Sequence, residues 1–181
     1  MDILFVSANS RDQYVDIERE HRSLQKLVEA GGHSLRVLPA AEVVDLRDAV
    51  RSNGHEKPFD ILHFSGHITE KEGLHLRGKG RQKETFSGEK LKELLTGSEV
   101  RLVVLNACHS ETLAISISEV VPAVIGAVHL IRDVVARQFT RNFYAALNEN
   151  STVKEAFEFA LKQGKQGRPA YVHVGQDFAI Q

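Results

Sequence analysis

The 181 residues carry 23 Lys and Arg against 24 Asp and Glu, a net charge of -1, dispersed except around Arg77 to Lys83. That balance offers no electrostatic footprint for nucleic acid, and the opening Met1-Asp2-Ile3-Leu4-Phe5-Val6 lacks the basic flank and length of a signal peptide or membrane span. One cysteine cannot form an internal disulfide, so a single cytoplasmic domain over residues 1–181 is expected, with no nucleic acid and no membrane among its partners.

Ile3-Leu4-Phe5-Val6 reads as a first strand closed by the polar loop Ser7 to Asp12. Ile17, His21, Leu24 and Val28 fall at helical spacing, and Gly31-Gly32 supplies a terminator that tolerates a left-handed cap. On that stripe His21 reads as a satisfied interior histidine. Leu35 to Leu38 gives a second strand before Pro39, and Val43, Leu46 and Val50 mark a helix ending near Asn53-Gly54. Phe59 to Phe64 is a third strand, running into Ser65-Gly66-His67.

Leu74 to Arg77 and Thr85-Phe86 flank a turn rich in glycine and lysine, the pattern of a hairpin with a solvated tip; Ser87 then caps a short helix carrying Leu91, Leu94 and Leu95. Leu102 to Leu105, with Ala107, alternates too little for a strand showing one face to water and fits a strand buried on both faces of a parallel sheet. This fourth core strand should lie beside the third. Leu113 to Val121 reads as a helix stopped by Pro122, and Ala123 to Leu130 as a fifth apolar strand. Val135, Phe139, Phe143 and Ala146 line a long helix, and Thr152 with Glu155 forms a capping box opening another that Gly164 ends. With a last strand over Ala170 to Val174, the alternation predicts an α/β fold: a doubly wound, mostly parallel sheet with helices on both faces.

Cys108 stands where the fourth strand ends, the place at which chemistry gathers in such sheets. A thiol is a poor nucleophile until a base takes its proton, and His67, at the same end of the neighbouring strand, is the leading base, because parallel neighbours lie roughly 4.8 Å apart. The amides of Gly66 and Cys108 could form an oxyanion hole. His63 reads as a packed or supporting residue and His109 as a solvent-facing ring. His63 and His67 would stand about 13 Å apart along a strand, too far to share one metal ion.

His63-Phe64-Ser65-Gly66-His67, followed about forty residues later by Val103-Val104-Leu105-Asn106-Ala107-Cys108, resembles the two catalytic segments of the CHAT domains, bacterial caspase-like cysteine proteases. The resemblance extends to Ile3 through Asn9 and to Phe139 through Phe157. It implies a caspase-hemoglobinase fold, His67 as general base, Cys108 as nucleophile, a protein or peptide substrate and no cofactor or metal. It also implies a regulatory partner protein in signalling or defence.

Cys108-His109-Ser110 is similar to the Cys-His-Ser-Gly of metacaspases, where an aspartate two residues before the cysteine helps bind a basic side chain. That substrate-binding position is Asn106 here, and a neutral amide does not supply the charge a buried guanidinium needs. Further pocket residues could come from Arg11 or Asp12 in the first loop, or from Arg132 or Asp133 after the fifth strand, the arginines favouring acidic substrate side chains and the aspartates basic ones. Ile68 after the histidine, and Glu111 in place of the glycine, motivate an alternative: a catalytically silent module of the same fold that docks a partner.

Overall fold

The computed structural model describes residues 1–9, 16–51, 58–69, 71–78, 82–164 and 170–180. Its main sheet is built from β1 (Asp2–Ala8), β2 (Ser34–Leu38), β3 (Ile61–Gly66), β7 (Leu102–Asn106), β8 (Ala123–Ala127) and β9 (Tyr171–Gly175). They lie in the order β2-β1-β3-β7-β8-β9, with only β9 antiparallel. A second, antiparallel sheet joins β4 (Ile68–Thr69), β5 (Gly73–Arg77) and β6 (Lys83–Phe86), the expected hairpin, whose tip at 79–81 lies outside the described residues.

Strand alternation decides which residues meet which helices. In β1, Ile3 and Phe5 join one core cluster while Leu4, Val6 and Ala8 join the other. The first cluster receives α1 (Ile17–Ala30), α5 (Asp133–Asn148) and α6 (Val153–Gln163); the second receives α2 (Val43–Arg51), α3 (Gly88–Leu95) and α4 (Glu111–Ile117). Three layers result, with β3 and β7 adjacent and buried throughout. The sheet is mostly parallel with helices on both faces, as a caspase-like sandwich requires. Among the described residues no helix is long and apolar enough to cross a membrane.

The helix ends follow from their residues. Ser87 caps α3 by accepting from the Lys90 amide at 3.4 Å, the Thr152–Glu155 capping box is complete, and Gly164 closes α6. At the end of α1 the left-handed residue is Gly32, at φ 67°, one place after the C-cap. The end expected for α2 at Asn53-Gly54 lies outside the described residues.

Several boundaries differ from expectation, three of them with a clear cause. β3 runs to Gly66, because its pairing with β1 continues to Ala8. α4 spans Glu111–Ile117 and ends short of Pro122; Ser118 Oγ donates to the Ile115 carbonyl at 2.7 Å, drawing that acceptor away from the helical ladder. β8 stops at Ala127, and Val128 and Leu130, read as strand from their apolar character, stand exposed beyond the sheet.

Candidate active site

Cys108 sits on a tight turn whose geometry is set by its neighbours. Ser110, fully buried, donates its hydroxyl to the Leu105 carbonyl at 3.0 Å and accepts the Ala127 amide at 2.7 Å, tying the tip of β7 to the tip of β8. His109 takes φ 54° and turns to solvent, as expected of it. Just before them the Cys108 thiol is in no disulfide and half-buried. Its sulfur accepts from the Ile131 amide at 3.4 Å and lies 3.8 Å from the Ile131 carbonyl, so the thiol rests against the backbone that leads into α5.

His67 follows β3 directly, half-buried, its carbonyl accepting the His75 amide at 2.9 Å. Burial, then the nearby Lys83 charge, depress the His75 pKa below its ordinary value. Ser65 pairs directly with Asn106 across β3 and β7. Two residues further on, just past the ends of β3 and β7, stand His67 and Cys108, at the same edge of the sheet. Gly66 is constrained by close approach: a Cβ there would lie 2.6 Å from the Ala8 carbonyl oxygen and 3.0 Å from the Phe64 ring.

Beneath this edge is a buried polar network that sequence reasoning missed. Glu20, 2% exposed on α1, accepts from Ser65 Oγ at 2.7 Å, from Thr140 Oγ1 at 2.9 Å and from Asn106 Nδ2, and lies 2.9 Å from His63 Nε2. The other His63 nitrogen is 3.0 Å from the Tyr144 hydroxyl, and the Tyr171 hydroxyl donates to Asn106 Oδ1. Burial alone would push the Glu20 carboxyl up; its interactions with His63, Ser65 and Asn106 together outweigh burial and hold it below its ordinary value of 4.5. Burial, reinforced by the Glu20 charge, pushes both tyrosines well up, and Tyr171 also feels Cys108.

This arrangement corrects one expectation. Asn106 is 4% exposed and its amide is engaged by Glu20, Thr140 and Tyr171, so it faces the interior and presents no group to a substrate. His63 is the fully buried supporting residue expected. His21 is only half-buried, stacked on Phe5 at 5.6 Å; the interior position on α1 is Glu20. The signal was present in the sequence, since Ile17, Glu20, Leu24 and Val28 form a helical stripe as regular as the one read through His21.

Of the remaining candidates, Arg132 is exposed at the N-cap of α5, next to the residue that touches the Cys108 sulfur. The Asp133 carboxylate accepts the Asp16 amide at 3.1 Å. Arg11 and Asp12 lie outside the described residues. Val128 and Leu130 in the same loop, and Val134 in the first turn of α5, expose apolar surface, Leu130 at 71%. On the other side of the turn, a cavity of about 240 Å³ is walled by Ile68, Thr69, His109 and Leu113. No group of three metal-ligating side chains occurs among the described residues.

The model of the CHAT domain matches residues 5–168. The chain is 27% identical over 154 residues to a probable protease of Gillisia limnaea, covering 80% of this chain and 26% of that protein. It is 25% identical over 125 residues to a Roc-COR-CHAT protease of an unknown prokaryotic organism, covering 63% of this chain and 12% of that one. The chain thus spans about a quarter or less of these relatives. With nearly its whole length matched by the domain, the chain belongs to the CHAT-domain family.

Proposed function

We propose that the chain is a caspase-like cysteine endopeptidase. His67 takes the proton of Cys108, the thiolate attacks a peptide carbonyl, and the amides of Gly66 and Cys108 hold the resulting oxyanion. The thioester forms as the amine leaves with the proton from His67, and water then releases the acyl group. The observation that carries this reading is the Ser65–Asn106 pairing, since both reacting residues lie two places beyond it, just past the ends of neighbouring parallel strands. The protease names of both relatives support it.

Arg132 is the pocket residue best placed to meet a substrate, exposed beside the segment that contacts the sulfur, and it favours acidic side chains. A regulatory partner, or a further part of a longer protein, orders the loops around the site. The setting is cytoplasmic signalling or defence.

The silent-module alternative drew on Ile68 and Glu111. Ile68 is 6% exposed, paired with Leu74 and packed into the core; Glu111 opens α4, where a carboxylate suits the helix dipole. Each residue thus has a structural role that explains its presence without loss of activity. A proteome-wide profile of cleavage sites, comparing wild type with Cys108→Ala in the presence of any co-purifying partner, tests the reading. Sites that vanish in Cys108→Ala are expected, enriched in acidic residues that Arg132→Glu disfavours. Identical profiles for wild type and Cys108→Ala would sink it.

A further inference from the structure

The reaction above uses none of the side chains gathered on Glu20, yet they occupy the positions from which the two strand tips are controlled. We infer that Glu20 is the positioning residue that holds β3 and β7 in the register His67 and Cys108 need to react. The inference rests on the reading of those two residues as the reacting pair.

One carboxylate spans both strands. Its Oε2 accepts from Ser65 and its Oε1 from Asn106, and Ser65 and Asn106 are direct cross-strand partners. Each stands two residues before a member of the pair, Ser65 next to last in β3 and Asn106 last in β7, so the clamp grips the strand ends from which His67 and the turn carrying Cys108 depart. Displacing Glu20 therefore displaces the tips of both strands relative to each other. Reacting groups misplaced by ~1 Å can lose about a hundredfold in rate.

The orientation of the Asn106 amide is determined by its surroundings. The Tyr171 hydroxyl donates to Oδ1, leaving Nδ2 as donor to Glu20. An aspartate at this position would set a second carboxylate against the first, which explains why a neutral amide stands here. Thr140 closes the set, accepting from Asn106 Nδ2 at 3.2 Å while donating to Glu20. The clamp is thereby anchored on α1, α5 and β9, three elements outside the strands it holds. A buried carboxylate is an expensive way to fill space, and apolar side chains of equal volume often stabilise as well or better. What apolar side chains lack is direction, which hydrogen bonds to Ser65 and Asn106 supply.

Because Cys108 is the single cysteine, its alkylation by iodoacetamide is read unambiguously from intact mass. Rates measured from pH 5 to 9 for wild type, His67→Ala, Glu20→Gln and Ser65→Ala, with folding checked by circular dichroism, test the clamp. Folded Glu20→Gln and Ser65→Ala are expected to react at least about tenfold more slowly at neutral pH, their pH profiles moving towards that of His67→Ala. If Glu20→Gln does not fold, Ser65→Ala decides, since it keeps the carboxylate and its contacts with His63, Asn106 and Thr140. A folded variant with the wild-type rate and profile overturns the clamp alone. Coincident profiles for wild type and His67→Ala overturn the reacting pair, and the clamp with it.

Discussion

Gly66 is where backbone proximity bears most directly on the chemistry proposed. Its missing side chain lets β3 lie against Ala8 of β1 while its amide remains at the strand tip beside His67. The clash a Cβ would make is with a carbonyl oxygen, which no side-chain rotation relieves. Gly66→Ala is therefore expected to lower stability by about 1–3 kcal/mol. It should also reduce turnover more than substrate affinity, because the amide proposed to hold the oxyanion moves with the backbone. Urea unfolding together with steady-state kinetics on a cleaved peptide checks both. Ser110 acts at the same scale on the opposite strand, since its hydroxyl joins the tips of β7 and β8 and so fixes the turn carrying Cys108.

At the scale of elements, the Glu20 network joins α1, β3, β7, α5 and β9 through one charge. Because the folded carboxyl lies below its unfolded value near 4.5, its stabilisation is fully present above that pH and is lost as pH falls through the folded value. Wild type should exceed Glu20→Gln by on the order of 2–3 kcal/mol at pH 7, with the gap narrowing below pH 4.5. Thermal melts of the two proteins from pH 7 to 3 measure this; a gap that holds constant or widens in acid contradicts the assignment. The same elements show what the sequence made legible and what it concealed. The apolar runs of β1, β3, β7 and β8 announced buried strands because both faces are covered. The caps at Ser87 and Thr152 were readable because capping is local. Glu20, Thr140, Tyr144 and Tyr171 were not, because polar residues reveal their burial only when partners distant in sequence arrive. Val128 and Leu130 misled for the converse reason: their apolar side chains stand exposed in the loop between β8 and α5, outside any strand.

Across the whole molecule, the parallel order β1-β3-β7-β8 brings the carboxyl ends of the central strands to one edge, and Gly66, His67 and Cys108 all arrive there. The layers were legible from the alternation of strand and helix patterns. The one antiparallel strand of the main sheet was not, because β9 takes its direction from where α6 ends and from its pairing with β8. The central claim is that His67 activates Cys108 across two strand ends, and it is tested most directly by trapping the acyl-enzyme. With an activated ester such as p-nitrophenyl acetate at neutral pH, intact mass should show one acyl group on Cys108, labile to hydroxylamine and absent in Cys108→Ala. Its formation should be slowed about a hundredfold or more in His67→Ala, as expected for loss of a general base. Acylation of Cys108 at equal rates in wild type and His67→Ala, or an adduct that persists in Cys108→Ala, would contradict it.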